Sequence, residues 1–222
     1  MSSGSLRRKW GRPHILARDF VVLMAALALF ALAMVMTLQS DLGANSWTVF
    51  HHGISLQTPL SLGMAGIVVG LVILAASWFM GIRPGIGTVA NMFFIGVWTD
   101  VYLNYDLVPQ ASYLPFQLAM LAGGAVLLGF ATALYIKTDF GAGPRDAFML
   151  ALTQRTNIRV GFIRWALEVA VVLLGIIMGG SFGLGTILFA VMIGPSVEFF
   201  FNLFKLPTRR TSSRVVSQSS GD

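Results

Sequence analysis

Residues 139–146 read Asp-Phe-Gly-Ala-Gly-Pro-Arg-Asp, and residues 41–48 read Asp-Leu-Gly-Ala-Asn-Ser-Trp-Thr. The two stretches share Asp, Gly and Ala at the same places and lie 98 positions apart. Sliding the chain by that interval aligns Leu23–Asn104 with Leu121–Asn202 without a gap, with about one position in five identical. Phe50 falls on Phe148, Gly63 on Gly161, and Met80-Gly81 on Met178-Gly179. Gly85-Ile86-Gly87-Thr88 falls on Gly183-Leu184-Gly185-Thr186, Ile95-Gly96 on Ile193-Gly194, and Asp100 on Glu198. Chance likeness between apolar stretches does not bring glycines and acids into register, so the chain reads as an internal duplication.

Each copy holds three runs of about 20 apolar residues, the length that spans a bilayer as a helix. The expected spans are Phe20–Leu38, Leu60–Met80 and Gly85–Leu103, then Phe116–Ile136, Val160–Met178 and Gly183–Phe204. This divides the chain into a basic tail (1–19), a first repeat (20–105), a second repeat (116–204) and a second basic tail (205–222). Composition agrees: 56% of the 222 residues are hydrophobic and 11% charged, where a soluble domain has roughly 25% charged. The first apolar run is long enough to span by itself, so no cleavable signal is expected. With no cysteine, disulfides, thiol catalysis and Cys-based metal sites are excluded.

The net charge of +6 resembles a nucleic-acid signature only until the basic residues are located. Arg7, Arg8, Lys9, Arg12 and Arg18 precede the first span, Arg83 lies between the second and third, and Lys137, Arg145, Arg155 and Arg159 lie between the fourth and fifth, with Arg164 just beyond. Lys205, Arg209, Arg210 and Arg214 follow the sixth. All fifteen Lys and Arg residues thus fall on one side, which the positive-inside rule makes cytoplasmic, with both termini there. Trp47, Trp78, Trp98, Tyr102, Tyr105, Tyr113 and Trp165 sit near span ends, as interfacial aromatics do. The Ser- and Gly-rich tails are expected to be disordered.

A repeat with an odd number of spans enters the membrane from opposite sides in its two copies. The expected fold is therefore an all-α integral membrane protein of six transmembrane helices, built as two inverted three-helix repeats, each with a short helix after its first span. Inverted repeats of this kind are the architecture of many secondary transporters, whose substrates bind near the midplane at the repeat interface.

The Asp-Leu-Gly-Ala and Asp-Phe-Gly-Ala-Gly-Pro-Arg-Asp segments, with the later Gly-x-Gly-Thr, resemble the bacterial YczE/YyaS/YitT group of membrane proteins over about residues 20–205. The resemblance implies a multi-span protein of the bacterial inner membrane, in a group described as transporters without an agreed substrate. The chain departs from longer members that carry a soluble C-terminal domain. It also has Thr48 where the second repeat has Asp146.

In the Asp-x-Gly-Ala motif, Asp41, Gly43, Ala44, Asp139, Gly141 and Gly143 read as a chain break, and Pro144 fixes the turn. The apolar stretches that follow are too short to cross. They read either as interfacial helices capped by Asp41 or Asp139, or as re-entrant helices whose N-termini present partial positive charge to the membrane interior. Arg145 and Asp146 are expected to form a solvated cytoplasmic pair. Asp100 and Glu198 occupy equivalent places near the ends of the third and sixth spans, where they serve either as coupling acids on opposite faces or as carboxylates reaching headgroup water. Glu168 lies deepest, one helical turn after Arg164, and reads as a structural ion pair with it or as a site for a cation, amine or proton. Asn91, Thr88 and Thr186 add polar contacts, and the glycines at 63, 66, 70, 123, 124, 175 and 179 offer close helix packing. Adjacent His51 and His52 point about 100° apart on a helix and are badly placed to grip one metal ion, so no metal or other cofactor is expected.

No nucleophile elbow, phosphate loop or zinc motif is present, which disfavours an enzyme. The expectation is a secondary transporter of a small organic solute by alternating access. The alternative is a six-span substrate-binding subunit, or a membrane assembly or scaffold protein without transport. Expected partners are membrane lipid, an unidentified solute, and a homo-oligomer or partner membrane subunit; nucleic acid is not among them.

Overall fold

The computed structural model describes residues 13–81, 85–140, 143–156, 158 and 160–206. Gly141, the side chains of Asp146 and Arg164, and most of both tails lie outside the described residues. Among those described, the regular structure is entirely α-helical: α1 (Pro13–Gln39), α2 (Ser46–Gln57), α3 (Leu62–Phe79), α4 (Ile86–Asn104), α5 (Leu114–Lys137), α6 (Pro144–Thr156), α7 (Val160–Ile177) and α8 (Leu184–Leu203). Helices satisfy every interior backbone group within one segment, as an apolar solvent demands. The bounds of α2, α3 and α4 recur 98 positions later in α6, α7 and α8 to within one residue.

Among the described residues, four helices are long and apolar enough to cross a membrane: His14–Gln39 within α1, then α3, α5 and α8. The other two expected spans coincide with α4 and α7 and fall short of that combination among the described residues. Thr88, Asn91, Thr99, Asp100 and Asn104 dilute the apolarity of α4.

The chain breaks repeat as well. Asp41 and Asp139 both adopt left-handed backbone angles, with φ of 58° and 60°, and Gly81 and Gly179 do so at 96° and 82°. Asp tolerates this region better than most residues. Asp41 and Asp139 donate their N–H groups back to the carbonyls of Leu38 and Ile136, so they end the preceding helix. The cap of α2 is Asn45, whose side chain accepts the Thr48 N–H. The short helix is therefore capped by a residue four places after the Asp expected to do it.

The centre of the bundle is the crossing of α1 and α5. Ala33 and Met34 meet Leu121, Ala125 and Leu128 there, with Phe189 of α8 against them. Gly124 makes the approach close, because a Cβ there would lie 2.8 Å from Thr37 Cγ2. Around this pair, α4 packs on α1, α8 on α5, α2 on α7 and α6 on α3. Large apolar side chains such as Val72, Phe79, Leu173, Ile177 and Leu184 face outward, as a lipid-facing surface requires.

Candidate functional site

The two short helices determine the site. Along α2, Trp47 meets Glu168, Phe50 meets Gly175 and Gln57 meets Met178, so α2 runs parallel to the second half of α7. Glu168 is halfway along α7, and α2 therefore begins at mid-bundle and ends level with the α7 C-terminus. Glycine permits the approach: a Cβ on Gly175 would sit 2.8 Å from the Phe50 nitrogen. At the other end of the molecule Arg155, near the α6 C-terminus, donates to the carbonyl of Phe79 at the end of α3 (3.1 Å). Gln57 and Arg155, each reaching a neighbouring helix end, are equivalent in the 98-residue register.

The starts of α2 and α6 meet. The Arg145 guanidinium lies over the Trp47 ring, 4.3 Å from its centroid. These residues are themselves equivalent, each the second of its short helix. Sequence reasoning puts the Trp47 segment and the Arg145 segment on opposite sides of the bilayer, and it missed their contact. No local pattern encodes it.

Trp47 is buried, and its Nε1–H donates to Glu168 Oε1 at 3.2 Å. One indole thus carries a guanidinium on its face and a carboxylate on its edge. The second oxygen of Glu168, which is half-buried, has no hydrogen-bond partner among the described residues. Asn91 borders the start of α6, since a Cβ on Gly143 would lie 3.3 Å from its Oδ1. One turn along α2, His51 is buried with its ring against Gly66 of α3. Burial, reinforced by the Arg145 charge, pushes His51 down to about 3, so the imidazole is neutral. Nothing in the His-His pair distinguishes a buried His51 from a surface one.

The other sequence candidates have local tasks. Asp100 accepts from Ser61 Oγ (2.5 Å) and the Gly63 N–H (2.7 Å), which caps α3 from the neighbouring α4. Glu198, its equivalent, is exposed on α8. Thr88 and Thr186 are buried, and their hydroxyls accept the N–H groups of Gly85 and Gly183 at the starts of α4 and α8. Those same starts lean on the Asp-x-Gly turns of the opposite half: Gly87 N–H donates to Phe140 O (3.1 Å), and Gly185 N–H to Leu42 O (2.6 Å). The two bonds are equivalent in the repeat register. Gly43, at φ 112°, must be glycine twice over, because a Cβ would also strike the Gly183 nitrogen and Thr186 Oγ1. An open cleft of about 140 Å³ at this crossing is lined by Asp41, Leu42, Gly43, Ser181, Phe182 and Gly183. Beside it, His52 Nδ1 accepts the Ser181 N–H (3.1 Å) and lies 2.7 Å from its Oγ.

Comparison with known proteins places the chain in a family. Residues 17–202 match a family of unknown function, DUF6198. The chain is 34% identical over 187 residues to an uncharacterized protein of Haemophilus influenzae, covering 84% of this chain and 85% of that one. It is 32% identical to the uncharacterized membrane protein YczE of Bacillus subtilis (79% and 81% covered) and 26% identical to YyaS of the same organism (78% and 87%). No solved structure matches. The apolar helices and the YczE likeness give a multi-pass membrane protein, and the chain belongs to the DUF6198 family of YczE/YyaS-type bacterial membrane proteins.

Proposed function

We propose that the protein is a secondary transporter of a small organic solute in the bacterial inner membrane. In this reading the chain crosses six times with both termini cytoplasmic, and its two three-helix halves are inverted. The observation that carries it is the contact between Trp47 and Arg145. Equivalent residues touch only where a pseudo-two-fold axis passes between them, and substrates of inverted-repeat transporters bind at that interface. Both short helices start there, so their N-terminal dipoles converge with a guanidinium and a carboxylate. The acids first considered for coupling divide accordingly: Glu168 belongs to the central site, whereas Asp100 caps α3. Binding energy differs between outward- and inward-open states when one half rocks against the other, and this drives alternating access.

The test has two arms. The chain lacks cysteine, so single cysteines introduced at Gln57 and Thr156 report topology by labelling with an impermeant maleimide. Labelling of Gln57→Cys from outside and Thr156→Cys only after lysis is expected. Purified protein in proteoliposomes is then given pooled labelled solutes under imposed proton or sodium gradients, and gradient-dependent uptake that Glu168→Gln abolishes is expected. Correct topology with no uptake of any pool, and a Glu168→Gln protein as stable as its parent, would favour a scaffold protein.

A further inference from the structure

Resting on the transporter reading, we propose that the α3–α4 and α7–α8 pairs are the two halves of one gate. In a second state the start of α7 closes on the end of α8 with Glu198 capping it, while α3 parts from α4 and Asp100 gives up its cap.

The inference starts from a seam that is closed in one repeat and not in the other. In the first repeat α3 packs along α4. Gly63 and Gly96 are buried there, backbone against backbone: a Cβ on Gly96 would lie 2.7 Å from the Gly63 carbonyl oxygen and 2.5 Å from Ile67 Cγ1. Asp100, one turn beyond Gly96, reaches Ser61 Oγ and the Gly63 N–H. The second repeat carries the same parts in sequence. Gly161, Gly194 and Glu198 fall on Gly63, Gly96 and Asp100, and α7 and α8 begin 98 positions after α3 and α4. Yet Gly194 is exposed, a Cβ on it would meet nothing within 4 Å, and Glu198 is exposed as well. Trp165, which falls on Ile67, is 63% exposed. Among the described residues α7 and α8 do not form the packing that α3 and α4 form.

Glycine weakens a helix interior, and a carboxylate on a helix that crosses the bilayer is costly. Gly96 and Asp100 recover these costs through α3. Gly194 and Glu198 recover nothing in the present state, and α7 is the element that the repeat register supplies to them. Charge selects the same occupant. A second copy set against α8 across a two-fold axis would bring two Glu198 carboxylates toward each other. The start of α7 brings a helix N-terminus, whose first N–H groups and partial positive charge suit a carboxylate. Glu198 is one methylene longer than Asp100 and reaches at least as far.

In the inverted six-span topology the closed α3–α4 seam lies toward the outer face and the open α7–α8 seam toward the cytoplasm, so the present state is open inward at this seam. Exchanging the conformations of two inverted halves moves the opening from one face to the other, as alternating access requires. Asp100 and Glu198 are then the two catches of the gate, each engaged only while its own face is closed.

The experiment traps the second state irreversibly, so a minor population is enough. Trp165→Cys and Gly194→Cys are introduced together into the full chain, which has no cysteine of its own. Disulfide formation in proteoliposomes under mild oxidant is followed by loss of free thiols and by gel mobility without reductant. The equivalent pair, Ile67 and Gly96, lies within disulfide reach across the closed seam, whereas Gly194 has no neighbour within 4 Å in the present state. An intramolecular disulfide is expected. Asp100→Ala is expected to speed its formation and Glu198→Ala to slow it, each on the order of tenfold, the weight of one hydrogen bond to a charged acceptor. If Asp100 only capped its own helix, trapping at the opposite face would not respond to it. Gly194→Leu, which fills the gap, is expected to keep the parent's unfolding midpoint and to abolish uptake. No intramolecular disulfide in folded protein, or a rate indifferent to both acids, overturns the gate and leaves transport standing where the parent takes up solute. A disulfide between two chains overturns it in favour of a second copy on α8. The expected trapping in a protein that takes up no solute pool overturns transport and leaves the exchange of seams.

Discussion

Replacing Asp100 by Ala removes two hydrogen bonds to a charged acceptor, from Ser61 Oγ and from the Gly63 N–H. Bonds to a charged partner contribute about 1.5–3 kcal/mol each. Asp100 is only partly buried, so the lower value applies and the pair is worth about 3 kcal/mol. The carboxylate also faces the positive end of the α3 dipole, an attraction already contained in that figure. For a chain of this size 1 kcal/mol corresponds to about 2–4 °C in the unfolding midpoint, so Asp100→Ala is expected to melt about 6–12 °C early. Asp100→Asn keeps an oxygen for Gly63 and turns an amide toward a hydroxyl that can accept, so it is expected to lose less than half of this. Glu198→Ala, at the equivalent but exposed place, is expected to melt with the parent. Thermal unfolding of the three purified variants in one detergent decides the matter. The capping role is wrong if Asp100→Ala melts with the parent, or if the Asn variant is the weaker of the two.

Other outcomes follow from the same geometry. In a double-mutant cycle, Trp47→Phe and Glu168→Ala are expected to couple by about 1–2 kcal/mol, since either change removes the indole-to-carboxylate bond; additive unfolding midpoints would show that the bond does not form. Gly175→Ala places a Cβ 2.8 Å from the Phe50 nitrogen, and because backbone cannot yield cheaply a loss of about 1–3 kcal/mol is expected. Acid should destabilise the fold. Burial lowers both His51 and His52 below the ordinary 6.5, so the unfolded chain binds protons that the native chain refuses, and stability falls as pH drops through about 6.5, by at most about 1.4 kcal/mol per pH unit per histidine. His52→Asn keeps an acceptor for the Ser181 N–H and removes one titration, so its unfolding midpoint should fall less between pH 7.5 and 5.5; an unchanged slope would exclude a contribution from His52.

Much of the helical framework is legible in the sequence, because apolar length and the 98-residue register are properties of many residues at once. The register locates the starts of α6, α7 and α8 from those of α2, α3 and α4, and it pairs the left-handed turns at Asp41 and Asp139. What it leaves out depends on single contacts. Asp41 and Asn45 are both good helix caps, and only the backbone path shows that Asn45 caps α2 while Asp41 ends α1. Asp100 reads as a coupling acid or as a carboxylate reaching headgroup water until Ser61 and Gly63, at the start of another helix, are seen to use both of its oxygens. The candidate site was half visible. Glu168 and Arg145 are conspicuous as charges, but their meeting on Trp47 depends on two segments from opposite ends of the topology, and one sequence carries no trace of that.

The exchanged bonds between the starts of α4 and α8 and the two Asp-x-Gly turns have a consequence for synthesis. The turn at residues 41–43 is among the first elements to emerge, yet the groups that finish it, the Gly183 backbone, the Gly185 N–H and the Thr186 hydroxyl, belong to the last helix. Contacts so far apart in sequence form late, after the entropy of closing the loop between them has been overcome. The first half can therefore be inserted long before it is complete, and the nascent chain must hold an unfinished turn until α8 arrives to lock it.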